Sequence, residues 1–369
     1  MTRPLAYFIN GGAGRVIASI PAFEKLAETN NDFIIVCEGG SEIFRGHPIL
    51  DRKAYDHWHK GIFEDHLKHR DLITPEPYRV WEYYNQKCSL AQAFDIAINN
   101  KGIRKLSAPT LNLNKIEIAE AYKLVQEVKA RSGFEKIVVI QPFGRSVMAT
   151  HGMIVDPSSR SFAQTDLIEI VNSLKKEYGI IIMSEFGNIS GIDVAAPKIP
   201  NLRIWAAVIE MADYFLGCDS VGQHIARALE KISTVVIGST FPINVTYPDY
   251  SNFTIIDIGE GRRVYSPIRI SQEDTIERIN DQCMEMTDEH KRQIIKSIKN
   301  KLGKSVKSTV KLPENNMQQQ PMQHDHSHDH SHDHANQTDN NFKLTPVASN
   351  ISKMSNSPIS SSNNFQIIS

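Results

Sequence analysis

The stretch Ala212–Asp249, ADYFLGCDSVGQHIARALEKISTVVIGSTFPINVTYPD, decides the fold of this chain. Tyr214-Phe215-Leu216 is an apolar run of strand length, closed by Gly217-Cys218. Asp219-Ser220 supplies N-cap chemistry for a helix from Val221 to Glu230, in which Ile225, Ala228 and Leu229 recur at helical spacing. A second apolar run, Thr234-Val235-Val236-Ile237, stops at Gly238-Ser239-Thr240. Strand, helix, strand in this order predicts a parallel sheet. The carboxyl ends of its strands face a ligand crevice, where a free helix N-terminus attracts phosphate.

Working outward, the same alternation appears on the N-terminal side. Leu5–Ile9 reads as a buried strand that runs into Asn10-Gly11-Gly12-Ala13-Gly14-Arg15. Val16, Ile20, Phe23 and Ala27 then mark one helix face, with Pro21 expected to kink it or close a short first turn. Phe33–Cys37 is the next strand, ending at Glu38-Gly39-Gly40. The Gly-rich turn is not the dinucleotide fingerprint, because Ile17 stands where a third glycine belongs. Its glycines serve either a tight turn with close helix packing or direct ligand contact.

A fresh α/β series starts at Lys136. Ile137–Ile140 is a strand opening into Gln141-Pro142-Phe143-Gly144-Arg145, and the loop MATHGMIVDPSSRSF leads to a helix. That helix carries Leu167, Val171, Leu174 and Tyr178 on one face, with Gly179 at its C′ position. Ile180–Met183 is a strand ending at Ser184-Glu185-Phe186-Gly187, and Leu202–Trp205 reads as a further short strand before a helical Ala206–Ala212. The expected fold class is therefore α/β, with two Rossmann-like, doubly wound parallel-sheet domains and a crevice between them. The expected division is residues 1–134, 135–303 and a tail from 304 to 369.

Between the two series, residues 41–113 are irregular. His57, His59, His66 and His69 have spacings that could gather metal ligands, but no cysteine joins them, and a polar helix face or acceptor-binding surface accounts for them better. Asn114 with Glu117 makes a capping-box start to a helix with Ile118, Tyr122, Val125 and Lys129 on one side and Gly133 after its end. Near the other end, Ser271–Asp274 is a helix start, and helical patterning continues to about Leu302 with a break at Thr287-Asp288. From about Lys304 apolar periodicity stops. The remainder, rich in Asn, Gln, Ser and Pro, is expected to be a disordered tail. Its repeat HDHSHDHSHDH, His324 to His334, would bind divalent metals weakly if offered them.

Composition fits a folded chain of 369 residues, 41% hydrophobic and 22% charged, which is long enough for two ordinary domains. A formal net charge of −1 gives no general attraction to nucleic acid or anionic membrane. The four cysteines, Cys37, Cys88, Cys218 and Cys283, are far apart and suit reduced, packed thiols. No apolar run reaches the ~20 residues that would cross a bilayer, and no export signal opens the chain. A cytoplasmic location is expected, with at most peripheral membrane contact.

Three patches resemble the ADP-heptose:lipopolysaccharide heptosyltransferase family, within the two-Rossmann-domain (GT-B) glycosyltransferases. Gly14–Phe23, GRVIASIPAF, is similar to the family's Gly-Asp-hydrophobic run ending in Pro-Ala. Asp213-Tyr214 through Asp219-Ser220-Val221-Gly222-Gln223-His224-Ile225-Ala226 is similar to its Asp-Ser/Thr-Gly-x-x-His-hydrophobic-Ala element, and Gly238-Ser239-Thr240 to its Gly-Pro-Thr. The match spans roughly residues 5 to 300 and leaves out the tail.

The resemblance implies a nucleotide-sugar donor in the second domain, its diphosphate at the start of the helix after Asp219, and a glycan or glycoconjugate acceptor such as lipopolysaccharide core. Ser220, Val221, Gly222 and Gln223 would offer backbone N–H groups, with no metal or cofactor required. Asp219 would cap the helix or order the loop. His224 has two readings, a hydrogen bond to phosphate or sugar, or packing against a carbonyl. Gly12 and Gly14 would approach the ligand from the first domain, and Gly238, Ser239 and Thr240 would line the crevice. Arg160, in an SSRS setting similar to the family's basic element, is a candidate cation for the leaving diphosphate. Arg145 is either a second such cation or an ordinary surface residue.

One departure bears on chemistry. The family's Asp after the first glycine, its general base, is replaced by Arg15, which cannot accept a proton at neutral pH. Either Glu38 or Glu185 at neighbouring strand ends is the base, or Arg15 binds an acidic acceptor or the diphosphate, or the shell only binds ligand. The expected activity is inverting glycosyl transfer from a nucleotide-diphosphate sugar. The alternative is an inactive GT-B-like binding or structural protein. An epimerase of the same architecture fits less well, because its paired carboxylate and histidine motifs are missing.

Overall fold

The computed structural model describes residues 3–144, 147–150, 153–156, 158–263 and 283–311. Arg145, the expected helix start at Ser271–Asp274 and the His-rich repeat lie outside them.

The first sheet is parallel and runs β3-β2-β1-β4, from β1 (Leu5–Ile9), β2 (Phe33–Cys37), β3 (Ala54–Asp56) and β4 (Asp71–Ile73). Leu5 pairs with Phe33 and Ile9 with Cys37. Between β1 and β2 lies α1 (Ala13–Ala27), which packs along α3 (Leu90–Asn99) after the short α2 (Trp81–Tyr84). Pro21 does not end α1: the helix runs through it to Ala27. Burial of its apolar face against α3 and the stacked Phe23 and Phe33 outweighs the one backbone hydrogen bond that proline removes.

The second sheet is also parallel and runs β11-β10-β9-β5-β8. Its strands are β5 (Ile137–Gln141), β8 (Gly179–Ile182), β9 (Tyr214–Gly217), β10 (Ser233–Ile237) and β11 (Phe253–Asp257). All residues of β5, β8, β9 and β10 are buried, as expected where helices cover both faces of a parallel sheet. The helices are α5 (Gln164–Leu174), α6 (Leu202–Met211), α7 (Val221–Ala228), α8 (Pro242–Val245) and α9 (Asp288–Leu302). The loop after β5 contains an antiparallel hairpin of β6 (Met148–Thr150) and β7 (Met153–Val155). The two parallel-sheet regions are the α/β architecture expected above.

Several local expectations change. Leu202–Trp205 is not a strand but the first turn of α6, started by Asn201 accepting the Arg203 N–H at 2.9 Å. Gly179 is not a helix cap: α5 ends at Leu174, and Gly179 opens β8. The helix begun by the Asn114–Glu117 capping box is α4 (Lys115–Ser132), and it buries Glu117, Ala121, Val125 and Val128, while Tyr122 faces solvent. The buried face is turned because Glu117 reaches inward to Arg203 (below). Gly133 in the left-handed region ends α4 as expected. The Thr287-Asp288 break is a capping box with His290 that starts α9.

The chain also keeps backbone pairing beyond 304. Glu135 N donates to Val306 O and Ser308 N to Gly133 O, so residues 305–309 lie along the α4–β5 connection. A buried ion pair ties the two regions together. Arg203 of α6 donates from Nε to Glu117 Oε1 at 2.6 Å and from Nη2 to Glu117 Oε2 at 2.8 Å. Its Nη1 reaches the carbonyls of Glu42 and Arg45, and Nη2 also that of Asn112. Among the described residues, no helix is long and apolar enough to cross a membrane.

Candidate functional site

Two helices start at the carboxyl ends of central strands, α1 after β1 and α7 after β9, and their first turns touch. A Cβ placed on Gly14 would lie 3.7 Å from Val221 Cα and 3.2 Å from His224 Cδ2, so the two helices approach closely and a side chain there would be tight against the imidazole. Neither first turn contains an acidic residue. Two positive helix ends therefore open into one cavity of about 470 Å³.

Gly12, Gly14, Arg15, Arg160, Glu185, Asp219, Ser220, Val221 and His224 line this cavity; these are sequence candidates that the fold brings together. Gly222, Gln223, Gly238, Ser239 and Thr240 are not among the lining residues, and several of them brace the cavity from behind. Asp219 Oδ1 accepts from Gln223 Nε2 at 2.9 Å and Oδ2 from Thr240 Oγ1 at 3.0 Å. Ser239 is fully buried and donates to Ser158 O. Asp219 thus orders the loop, and its charge is already engaged.

The start of α7 is not capped as the sequence suggests. Ser220 occupies the N-cap position but accepts no backbone N–H. Its Oγ instead accepts from Gln141 Nε2 at 3.1 Å, while Gln141 Oε1 accepts the Gly222 N–H at 2.7 Å. A side chain from β5 therefore caps a helix that is 81 residues away in sequence. Gly222 is required by this approach, since a Cβ would run into Gln141 Oε1 and come within 2.6 Å of Phe215 Cζ. The Gly222 N–H is consequently taken, which corrects its expected role as a phosphate donor.

Arg160 stands on a loop organised by Asp156, which accepts from the backbone N–H and hydroxyl of both Ser158 and Ser161. Burial opposes ionisation of Asp156, but these hydrogen bonds outweigh it and hold the carboxyl below its usual range. Arg160 Nε donates to Ser158 Oγ, and Nη1 lies 3.8 Å from Asp219 Oδ2. Burial opposes its charge as well, yet Asp219 and Asp156 raise its pKa, so a fixed cation faces the cavity.

His224 Nδ1 lies 2.7 Å from the Tyr247 hydroxyl. Burial pushes the imidazole pKa down to about 4, against the pull of Asp219, and burial raises that of Tyr247. The ring is therefore held neutral by burial, with Nε2 at the edge beside Gly14. Of the two readings from sequence, the packing one changes in its partner: the ring is anchored by a hydroxyl, not a carbonyl, and it also lines the cavity.

Arg15 is 94% buried, since its relative exposure is 6%. Its guanidinium lies over Tyr78 at 4.8 Å and Phe94 at 5.5 Å, and Nη1 is 3.4 Å from Glu76 Oε1. Nε and Nη2 have no hydrogen-bond partner among the described residues. Of the two carboxylates considered as bases, Glu185 is exposed on the cavity wall, whereas Glu38 accepts the Gly11 N–H and is not a lining residue.

Sequence reasoning missed Gln141, Glu76, Tyr78 and Tyr247. Gln141 had a usable signal, a polar residue ending an otherwise apolar strand where the crevice opens. The other three had none in their local pattern. Of the histidines between 57 and 69, His59 and His66 pack against the Tyr55 ring and against each other. Among the described residues, no three His, Cys, Asp or Glu side chains converge as metal ligands.

No protein-family model matches the chain, and no curated protein matches it in sequence. Solved structures do. The chain is similar to the glycosyl transferase family 9 protein from Veillonella parvula, with a TM-score of 0.55 and 12% identity over 82% of this chain and 98% of that one. It is similar to the ADP-heptose lps heptosyltransferase II of E. coli, with a TM-score of 0.55 and 10% identity over 81% and 98%. A third is TibC, an iron-containing dodecameric glycosyltransferase of enterotoxigenic E. coli, with a TM-score of 0.54 and 12% identity over 82% and 77%. At such identities the likeness is one of fold. The chain has the GT-B fold of the heptosyltransferase-like glycosyltransferases, in agreement with the resemblance read from its three motifs.

Proposed function

We propose that this protein is an inverting glycosyltransferase that moves a sugar from a nucleotide-diphosphate donor, ADP-heptose-like, to a hydroxyl of a glycan or glycoconjugate. The supporting observation is the cavity in which two helix N-termini without acidic first turns meet beside Arg160 and His224. The fold likeness supports the donor class, since TibC has been solved in complex with ADP-D-beta-D-heptose (TM-score 0.51).

In this reading residues 135–303 hold the donor and residues 1–134 the acceptor. The diphosphate sits at the start of α7, facing the Val221 end of the helix, Arg160 and Nε2 of His224. An acceptor oxygen attacks the anomeric carbon as the bond to the diphosphate oxygen breaks, so one displacement inverts the configuration. The negative charge that grows on the leaving phosphate is met by preorganised donors, the term that typically dominates such catalysis. The acceptor proton passes to Glu185, the exposed carboxylate of the cavity wall. Arg15 takes no part in that transfer.

The test is release of nucleoside diphosphate from a panel of ADP-, GDP-, UDP- and CMP-sugars with mixed glycan acceptors. One donor is expected to turn over, and Glu185→Gln should lower kcat by roughly 10²–10⁴-fold, as for loss of a general base. Binding of a nucleotide with no release from any donor would identify an inactive shell.

A further inference from the structure

We infer that Arg15 seats a second anion, a carboxylate or phosphate carried by the acceptor. The proposal rests on the glycosyl-transfer reading above and names the chemistry of its acceptor. A guanidinium donates best through one edge, where the Nε and Nη2 hydrogens lie parallel and match the two oxygens of a carboxylate or phosphate. In Arg203 that edge is filled from within the protein, by Glu117 Oε1 and Oε2. In Arg15 the same two atoms are the ones left without a partner among the described residues, although the side chain is buried and lines the cavity. A buried charge with unfilled donors is costly. A ligand that completes the edge removes the cost.

The position on α1 separates this seat from the donor's diphosphate. Gly14 meets α7 at Val221 and His224. Arg15 follows it by about 100° around the helix, and its guanidinium rests on Tyr78 and Phe94, both from the first-sheet region. Tyr78 and Phe94 hold the plane of the group, and Glu76 holds Nη1, the atom outside the bidentate edge. The start of α1 adds positive potential at the same place, offset in part by the Glu38 carboxylate that accepts the Gly11 N–H. The cavity therefore presents one anion seat at each helix start: the α7 end with Arg160 for the diphosphate, and the α1 end with Arg15 for the acceptor's own charge.

Calorimetric titration of the full chain separates these claims. ADP is added first, then glucose 6-phosphate, glucuronate or neutral glucose to the ADP-saturated protein. One of the two anionic sugars should bind and glucose should not, and which of them binds tells phosphate from carboxylate. Arg15→Gln should weaken that binding by roughly tenfold to a hundredfold, the worth of a charge-assisted bidentate contact, while ADP affinity stays within about threefold. Arg15→Lys, which keeps the charge but not the fork, should retain part of the anion binding and guards against a fold defect in the glutamine variant. The inference is overturned if neither anion binds wild type, if Arg15→Gln leaves anion binding unchanged, or if it weakens ADP as much as the anion. If ADP fails to bind wild type but an anionic sugar binds through Arg15, the donor assignment falls and the seat at Arg15 stands.

Discussion

Arg203 and Arg15 are both buried on helices, in the two regions that the fold brings together, and the chain treats them in opposite ways. Around Arg203, five donor contacts reach the Glu117 carboxylate and three backbone carbonyls, so its charge is matched and its hydrogen bonds are satisfied. Around Arg15 there are two aromatic faces and one carboxylate at 3.4 Å, and the buried Nε and Nη2 have no partner among the described residues. Burial alone does not separate a structural cation from a ligand-binding one. Completion of the hydrogen-bonding edge does. The Arg203 site joins α4, α6 and the Glu42–Arg45 turn, so its function is to hold the molecule together, whereas the Arg15 site is unfinished until something enters the cavity.

The comparison is broken most directly at Glu117. Glu117→Ala leaves Arg203 buried without its carboxylate and should cost about 3–5 kcal/mol, measured by urea unfolding. A change within the ~0.5 kcal/mol usual for surface substitutions would show that the pair does not hold the two regions together.

pH separates the two regions next. Burial opposes the charge of Glu117, but the hydrogen bonds from Arg203 and from the Asn114 N–H outweigh it and hold the carboxyl below its usual range. Its contribution is therefore present above the ordinary carboxylate pKa and lost only as pH falls through the depressed value. His224, in the cavity, has its pKa pushed down to about 4. Between the ordinary imidazole value of about 6.5 and 4 the unfolded chain binds the extra proton, so stability falls as pH falls, by up to about 3 kcal/mol. Unfolding at a series of pH values should show that slope in wild type and its loss in His224→Asn. An unchanged slope would place the titration elsewhere.

The smallest effect sharpens the contrast most. Arg15→Met removes a buried charge that has no full partner, so without ligand it should leave stability unchanged or raise it by about 1 kcal/mol. A loss of more than ~2 kcal/mol in thermal or urea unfolding would mean that Arg15 is a structural residue like Arg203.

The parts of this arrangement that were legible in the sequence are those with local periodicity. The strand before Asp219, the helix after it and the glycine-rich start of α1 follow from spacing and turn chemistry, and they place Gly14, Arg15, Ser220 and His224 at strand ends. Leu202–Trp205 differs from the expected strand because so short a segment, with apolar residues at 202, 204 and 205, fits a strand and the first turn of a buried helix equally; Asn201 is the distinguishing sign. The role of Arg203 is not legible for a different reason: its partner Glu117 is 86 residues away. The cap on α7 comes from Gln141, and the bed for Arg15 comes from Tyr78 and Phe94, contacts that no local pattern contains. Long-range polar completion is where the sequence reading stopped.

The central claim is that the paired helix starts bind a nucleoside diphosphate with Arg160 beside it. Calorimetric titration of ADP, GDP and UDP into wild type and Arg160→Ala tests it directly. One nucleotide is expected to bind wild type, with affinity reduced roughly tenfold or more in the variant, the worth of one charge-assisted contact. Binding of none of them, or binding that does not respond to the loss of Arg160, would contradict the account.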